Sequence, residues 1–190
     1  PILDDGDCCC LAGEMEGRVV TMDQIQIKED GSNELAFLSK EKKPFTGKAE
    51  CFYENGQKKE EINFKNGMNH GLWTEWYENG HKKSEENYLE GKEDGLETEW
   101  YENGQKSFQT NYKNGKEDGL ETEWYENGQK SFQGSYENGK EDGLFTYWDE
   151  NGNKELVINY KNGKQLSKEK YNKDGSRKGF FKSLLEDIFR

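Results

Sequence analysis

Glutamates at 75, 97, 99, 121 and 123 recur beside Trp76, Trp100 and Trp124 at a spacing of 24 residues, and Trp148 extends the indole row. Tyr77, Tyr101 and Tyr125 follow three of those indoles directly. An acidic row beside exposed Trp and Tyr can steer a basic partner and supply its anchoring contacts. The same residues make a poor catalyst. General acid–base chemistry needs one group whose surroundings differ from those of its copies, and here every group is a copy. There is no GxSxG and no phosphate-binding glycine loop. The sequence therefore predicts no enzyme and no cofactor. Calcium needs oxygens that converge in a compact loop, so acids spread at a fixed interval predict a solvated face and no metal. His70 and His81 share no ligand spacing and read as surface residues. Cys8, Cys9 and Cys10 match neither zinc nor CxxC redox spacing. They read as free thiols, with a disulfide from this cluster to Cys51 as the alternative in an exported protein.

Those side chains have to be positioned by a chain of unusual composition. It has 190 residues, a formal charge of -12 and only 30% hydrophobic residues. Low hydrophobicity with high charge favours disorder, but 5 Trp, 10 Tyr and 10 Phe argue for a fold. No stretch is long and apolar enough for a membrane-spanning helix. The acidity argues against phosphate neutralisation, and so against nucleic acid as a partner.

Repetition supplies the framework. Glycines recur at 47, 71, 95, 119 and 143, at 56, 80, 104, 128 and 152, and at 67, 91, 115, 139 and 163. The unit GLETEWYENGQKSFQTNYKNGKED, residues 95–118, differs from the unit at 119–142 at three positions. Such a period marks a repeat architecture. Each unit carries two Asn-Gly turn signals between short aromatic runs, as at 103–104 and 114–115, so each unit reads as two strands and two turns.

Loop length decides which residues share a face. A two-residue loop at Asn103-Gly104 sets Phe108 opposite Glu99 and splits the apolar residues between both sides. A three-residue loop closed by Gly104 pairs Trp100 with Lys106 and Thr98 with Phe108. The same loop at Lys113-Asn114-Gly115 pairs Phe108 with Leu120. Three-residue loops are therefore expected at both turns. They put Leu96, Trp100, Phe108, Tyr112, Leu120 and Trp124 on one face. The acidic rows then lie on the other with Tyr53, Tyr77, Tyr101, Tyr125, Ser107, Gln109 and Asn111. The expected fold is all-β, an elongated antiparallel meander of tandem 24-residue β-hairpin repeats.

The ends depart from the pattern. Residues 1–46 lie outside the glycine register and predict an N-terminal cap, with strand-like segments at 18–20, 25–27 and 35–38 and a mobile acidic start. Repeats are expected over 47–175. From 176 to 190, Phe181, Leu184, Leu185 and Ile188 follow helical spacing and predict a short amphipathic capping helix. Its polar side has no basic stripe to hold it on a membrane. The opening Pro1 is compatible with a removed leader, so both a cytoplasmic and an exported location stay open.

Charge concentrates in the middle of the array. Unit 71–94 nets -4, unit 95–118 nets -2 and unit 119–142 nets -4, while units 47–70 and 143–166 net zero. Such a strip attracts a basic protein. The alternative is a self-associating scaffold, a homodimer joined through the aromatic face.

The run W-Y-E-N-G-Q-K followed by Y-K-N-G-K-x-D-G-L resembles the MORN repeat variant of bacterial YwqK-family antitoxins. Ala36-Phe37-Leu38 with Lys43-Pro44-Phe45-Thr46-Gly47 is similar to that family's lead-in. The resemblance covers about residues 18–175. It implies a stack of MORN-like hairpins and a module that pairs with a toxin or serves as a scaffold. Related eukaryotic repeats imply lipid association, which the acidity here disfavours.

Overall fold

In the computed structural model the described residues are 19–30, 33–39 and 41–182. They fall into two compact units that divide at Gly95 and Leu96. Apart from one 3-10 turn at Met22–Gln24, every described element is a strand.

The first unit contains β1 (Val19–Thr21), β2 (Ile25–Asp30), β3 (Asn33–Leu38), β4 (Gly47–Phe52), β5 (Lys58–Lys65), β6 (Met68–Trp76), β7 (Lys82–Leu89) and β8 (Lys92–Glu93). β1 runs parallel to β4, and the order continues through β5, β6 and β7. β2 and β3 form a separate hairpin. Alternation puts Ala49, Ile62, Phe64 and Trp73 on one face, because Ala49 pairs with Ile62 and Ile62 with Trp73. Ala36, Phe45, Val20, Met22, Ile25 and Leu38 pack on that face and close a core. Backbone bonds fix this cover: Ala36 N–H donates to Gly67 O at 2.8 Å, and Gly67 N–H to Phe45 O at 2.7 Å. Cys51 is buried in this unit and is disulfide-bonded, which agrees with the alternative that placed a disulfide at Cys51. The other cysteines, at 8–10, lie outside the described residues.

The second unit is an antiparallel meander. Its strands are β9 (Gly95–Trp100), β10 (Lys106–Lys113), β11 (Lys116–Glu117), β12 (Gly119–Trp124), β13 (Lys130–Glu137), β14 (Lys140–Glu141), β15 (Gly143–Trp148), β16 (Lys154–Lys161), β17 (Lys164–Tyr171) and β18 (Arg177–Lys182). The short β11 and β14 pair with β10 and β13. β18 corrects one expectation: residues 177–182 are a strand paired with β17, not the start of a helix. A free edge on β17 offers a backbone ladder, which outweighs a helical stripe of only a few apolar positions. The remainder of the proposed helix lies outside the described residues.

The two turns of each repeat differ. At the first, Tyr101 N–H donates to Gln105 O and Gly104 N–H to Tyr101 O, both at 2.8 Å, with Gly104 at φ 84. This is the expected three-residue loop. At the second, Asn114 has φ 53 and Gly115 φ 74, and Lys113 pairs with Lys116. Two consecutive positive φ values make a two-residue type I′ loop, which corrects the three-residue expectation there.

A second departure sets the faces. Trp124 pairs with Lys130, as expected, but Glu123 pairs with Phe132, so Ser131 is an extra residue on β13. That bulge moves Phe132 onto the glutamate face. Phe108 reaches the same face, because it too pairs with Glu123 across β10 and β12. The expected grouping of Phe108 and Tyr112 with the Leu and Trp rows is therefore wrong. Leu120, Thr122 and Trp124 instead share their face with Gln109 and Gln133. Gln109 Nε2 donates to Thr98 Oγ1 at 3.0 Å and Gln133 Nε2 to Thr122 Oγ1 at 3.2 Å.

On the glutamate face the buried residues Phe132, Phe145 and Ile158 form a core, flanked by Tyr136, Tyr147, Leu156 and Tyr160. Gly134 makes it possible. A Cβ there would lie 2.7 Å from both Phe132 Cζ and Phe145 Cε1. The preceding repeat has Thr110 at this position and Glu121 where Phe145 stands one repeat later. Gly134→Thr restores the earlier residue and is expected to cost about 1–3 kcal/mol through overpacking. Chemical denaturation measures it, and the double variant with Phe145→Glu is expected to lose the strain.

Candidate functional site

Tyrosine and asparagine side chains tie one hairpin to the next. Tyr101 Oη donates to Trp124 O at 2.6 Å, and Tyr125 Oη to Trp148 O at 2.7 Å. Asn103 Nδ2 donates to Glu126 O at 3.1 Å, and Asn127 Nδ2 to Glu150 O at 2.8 Å. Tyr101 and Tyr125, each directly after a Trp, thus fix repeat spacing as well as lining a surface. Tyr125→Phe is expected to lose about 1 kcal/mol of stability, the usual net worth of one such bond. A denaturation midpoint unchanged by that variant would contradict the role.

This stacking creates a trough of about 840 Å³ on the glutamate face of the second unit. Its carboxylates are Glu99, Glu121, Glu123 and Glu155. Its aromatic walls are Phe108, Phe132, Tyr136 and Tyr147. Tyr101, Tyr125, Trp124 and Trp148 border it where the strands run into their loops, with Ser107 and Ser131 between. No lysine or arginine is among its lining residues. The rings are in close contact: Phe132 and Tyr147 have centroids 4.9 Å apart, and Tyr136 and Phe145 5.3 Å.

Glu121 is 7% exposed. Burial pushes its carboxyl up to about 7, and the charges of Glu117 and Glu123 add to the effect. Tyr136 beside it is raised above the usual phenol range by burial and by Glu121, Glu117 and Glu141. The site therefore suffers a deficit of positive charge.

The bulge explains that deficit. In the first unit the extra bulge residues are Lys59, between the Phe52–Lys58 and Cys51–Glu60 pairs, and Lys83, between the Trp76–Lys82 and Glu75–Ser84 pairs. Lys83 Nζ lies 3.0 Å from Glu75 Oε2, and Lys59 Nζ lies 5.8 Å from the Tyr53 ring centroid. In the second unit the equivalent positions hold Ser107, Ser131 and Glu155, the last left over between the Trp148–Lys154 and Tyr147–Leu156 pairs. The internal cation of the first unit is thus replaced by a hydroxyl and then by another acid.

The residues singled out in the sequence divide accordingly. Glu99, Glu121, Glu123, Tyr101, Tyr125, Trp124 and Trp148 come together at the trough. Glu97 shares their face by alternation but does not line it, and neither does Trp100. Glu75, Trp76 and Tyr77 belong to the first unit, where Glu75 is already bonded to Lys83. Sequence reasoning missed Phe108, Phe132 and Tyr136 as partners of the acids, and it missed Tyr147 and Glu155. The signal that could have found them is the Lys-Lys-Ser-Ser-Glu succession at 59, 83, 107, 131 and 155. His81 is exposed, whereas His70 is half-buried. Among the described residues no three His, Cys, Asp or Glu side chains converge on a metal position.

The MORN repeat variant family model matches residues 45–66, 69–90, 93–114, 117–138 and 141–162. A search of curated proteins finds no match to the chain.

Proposed function

We propose that this chain, which belongs to the MORN repeat variant family, is a non-catalytic protein-interaction module that binds a basic partner through its acidic, aromatic trough. The observation that carries this reading is a trough lined by four carboxylates and no base. Charge of one sign in a concave surface steers a partner of the other sign. The ring walls supply the apolar anchoring that decides affinity once the partner has docked. The resemblance to the YwqK-family antitoxins gives this module its specific form, an antitoxin or immunity protein that blocks a basic toxin by occupying its surface.

The test is capture of a basic protein on the immobilised full chain at low salt. The partner is expected to elute as ionic strength rises, and the variant with Glu99, Glu123 and Glu155 all changed to Gln is expected to retain much less of it. Capture indifferent to both salt and these substitutions contradicts the reading.

A second reading rests on the other face. Leu96, Leu120 and Leu144 are 48%, 54% and 61% exposed, an apolar row at repeat spacing. It favours self-association through the leucine and indole side. Light scattering that reports a monomer at high concentration removes that reading and leaves the first intact.

A further inference from the structure

The second-unit trough is specific enough to name the chemical group it takes. Glu121 is more than nine-tenths buried and lies in the trough lining, and among the described residues its charged neighbours are the acids Glu117 and Glu123, with no donor acting on its carboxyl. A carboxylate held largely out of water with no base beside it is costly unless something supplies the charge. Tyr136 and Tyr147 lie close enough to feel its charge, and Phe132 lines the same trough against Tyr147. Among the described residues the acids do not converge as metal ligands, so the missing charge belongs to an organic cation.

We propose that the trough is a receptor for an arginine side chain of the basic protein partner, with Glu121 as the bidentate counter-ion and the Phe132, Tyr136 and Tyr147 rings as its walls. The inference rests on the reading of this face as a basic-protein site and narrows it to one residue type. A planar guanidinium satisfies both carboxylate oxygens at once and lies flat against aromatic rings, while a lysine ammonium offers a point charge and no plane. The first unit fills this part of the face internally: Lys83 occupies the bulge position and bonds Glu75, the residue that stands two repeats before Glu123, the neighbouring acid of Glu121. The second unit has Ser107 and Ser131 at that position, which leaves room for a cation from outside.

Binding is then coupled to a proton. The groups facing Glu121 are Glu117, Glu123, Tyr136 and Tyr147, with Glu141 acting on both tyrosines, and none of them carries positive charge. Without a ligand the carboxyl holds its proton up to about pH 7. An arriving guanidinium favours the ionised form, so below that pH the proton leaves as the cation enters.

Calorimetry of the full chain at low salt, with a blocked peptide alternating glycine and arginine, tests this. The arginine peptide is expected to bind more tightly than its lysine counterpart. Near pH 6, buffers of different ionisation enthalpy are expected to report proton release on binding. Glu121→Gln is expected to weaken the arginine peptide by about tenfold or more and to abolish the proton release. Ser131→Lys, which installs the first unit's internal cation, is expected to weaken it as well without removing a buried group. Equal affinity for both peptides, with neither variant changing it, overturns the arginine receptor and leaves the basic-protein reading standing. Failure of both peptides to bind at low salt overturns the arginine receptor and the basic-protein reading together.

Discussion

Phe145→Ala is expected to remove about 3–5 kcal/mol of unfolding free energy, the range for deleting a buried aromatic ring. Phe145 is 3% exposed, and its ring centroid lies 5.6 Å from that of Phe132, 5.3 Å from Tyr136 and 4.9 Å from Tyr160. It therefore joins three strands, β13, β15 and β16, through side-chain contact. Few other buried apolar side chains are available in the second unit, since its core is Phe132, Phe145 and Ile158. The preceding repeats carry Glu97 and Glu121 at the matching position, so the cluster belongs to the later part of the array. Denaturant titration measures the loss. A fall of less than about 1 kcal/mol would mean that the ring is not packed as described.

The second large effect is a dependence on pH that runs opposite to ordinary acid denaturation. Burial, then Glu75, raises the carboxyl of Glu60 to about 7, as burial, then Glu117 and Glu123, raises that of Glu121. The Trp73 indole offsets Glu60 only in part and does not reach full hydrogen-bond geometry. In the unfolded chain both groups release their protons near 4.5, while the native state holds them to about 7. Between those values the unfolded state binds fewer protons, so stability falls as pH rises, and the cost is complete above about 7. Glu121→Gln removes that cost. It is expected to exceed the wild type by about 2–3 kcal/mol at pH 8 and to match it at pH 4. Glu60→Gln is expected to behave alike. Glu61 runs the other way: burial raises it, but Lys48 and Lys58 together outweigh burial and hold it below the usual range. Glu61→Gln is therefore expected to lose stability above the ordinary carboxylate range, where Glu60→Gln gains it. Denaturation midpoints across pH for the three variants separate these effects.

The repeat and its first turn were legible because glycine has a unique conformational role. Gly104 at φ 84 does what only glycine does cheaply, and its recurrence exposes the period. The second turn was misread because Asn-Gly serves both loop lengths, and Asn114 at φ 53 chose the shorter one. The faces were misread because the bulge residue carries no type signature. Lys59, Lys83, Ser107, Ser131 and Glu155 all occupy it, and a glycine would have announced it. A single uncounted residue moved Phe108 and Phe132 to the side of the acids. At the C-terminal end Phe181 belongs equally to a helical stripe and a strand, and pairing with Lys168 on β17 decided in favour of the strand. The acids themselves were visible throughout. What the sequence could not show is that Glu121 is buried among rings while Glu123, two residues on, stays more open.

The chemistry of the trough depends on Glu121 lying beside aromatic rings with no base next to it. Carbon-13 NMR of the glutamate side-chain carboxyls, titrated in the full chain and assigned with Glu121→Gln, tests this directly. A Glu121 signal that titrates near pH 7 is the predicted result. A signal that moves near the ordinary value of 4.5 would contradict it.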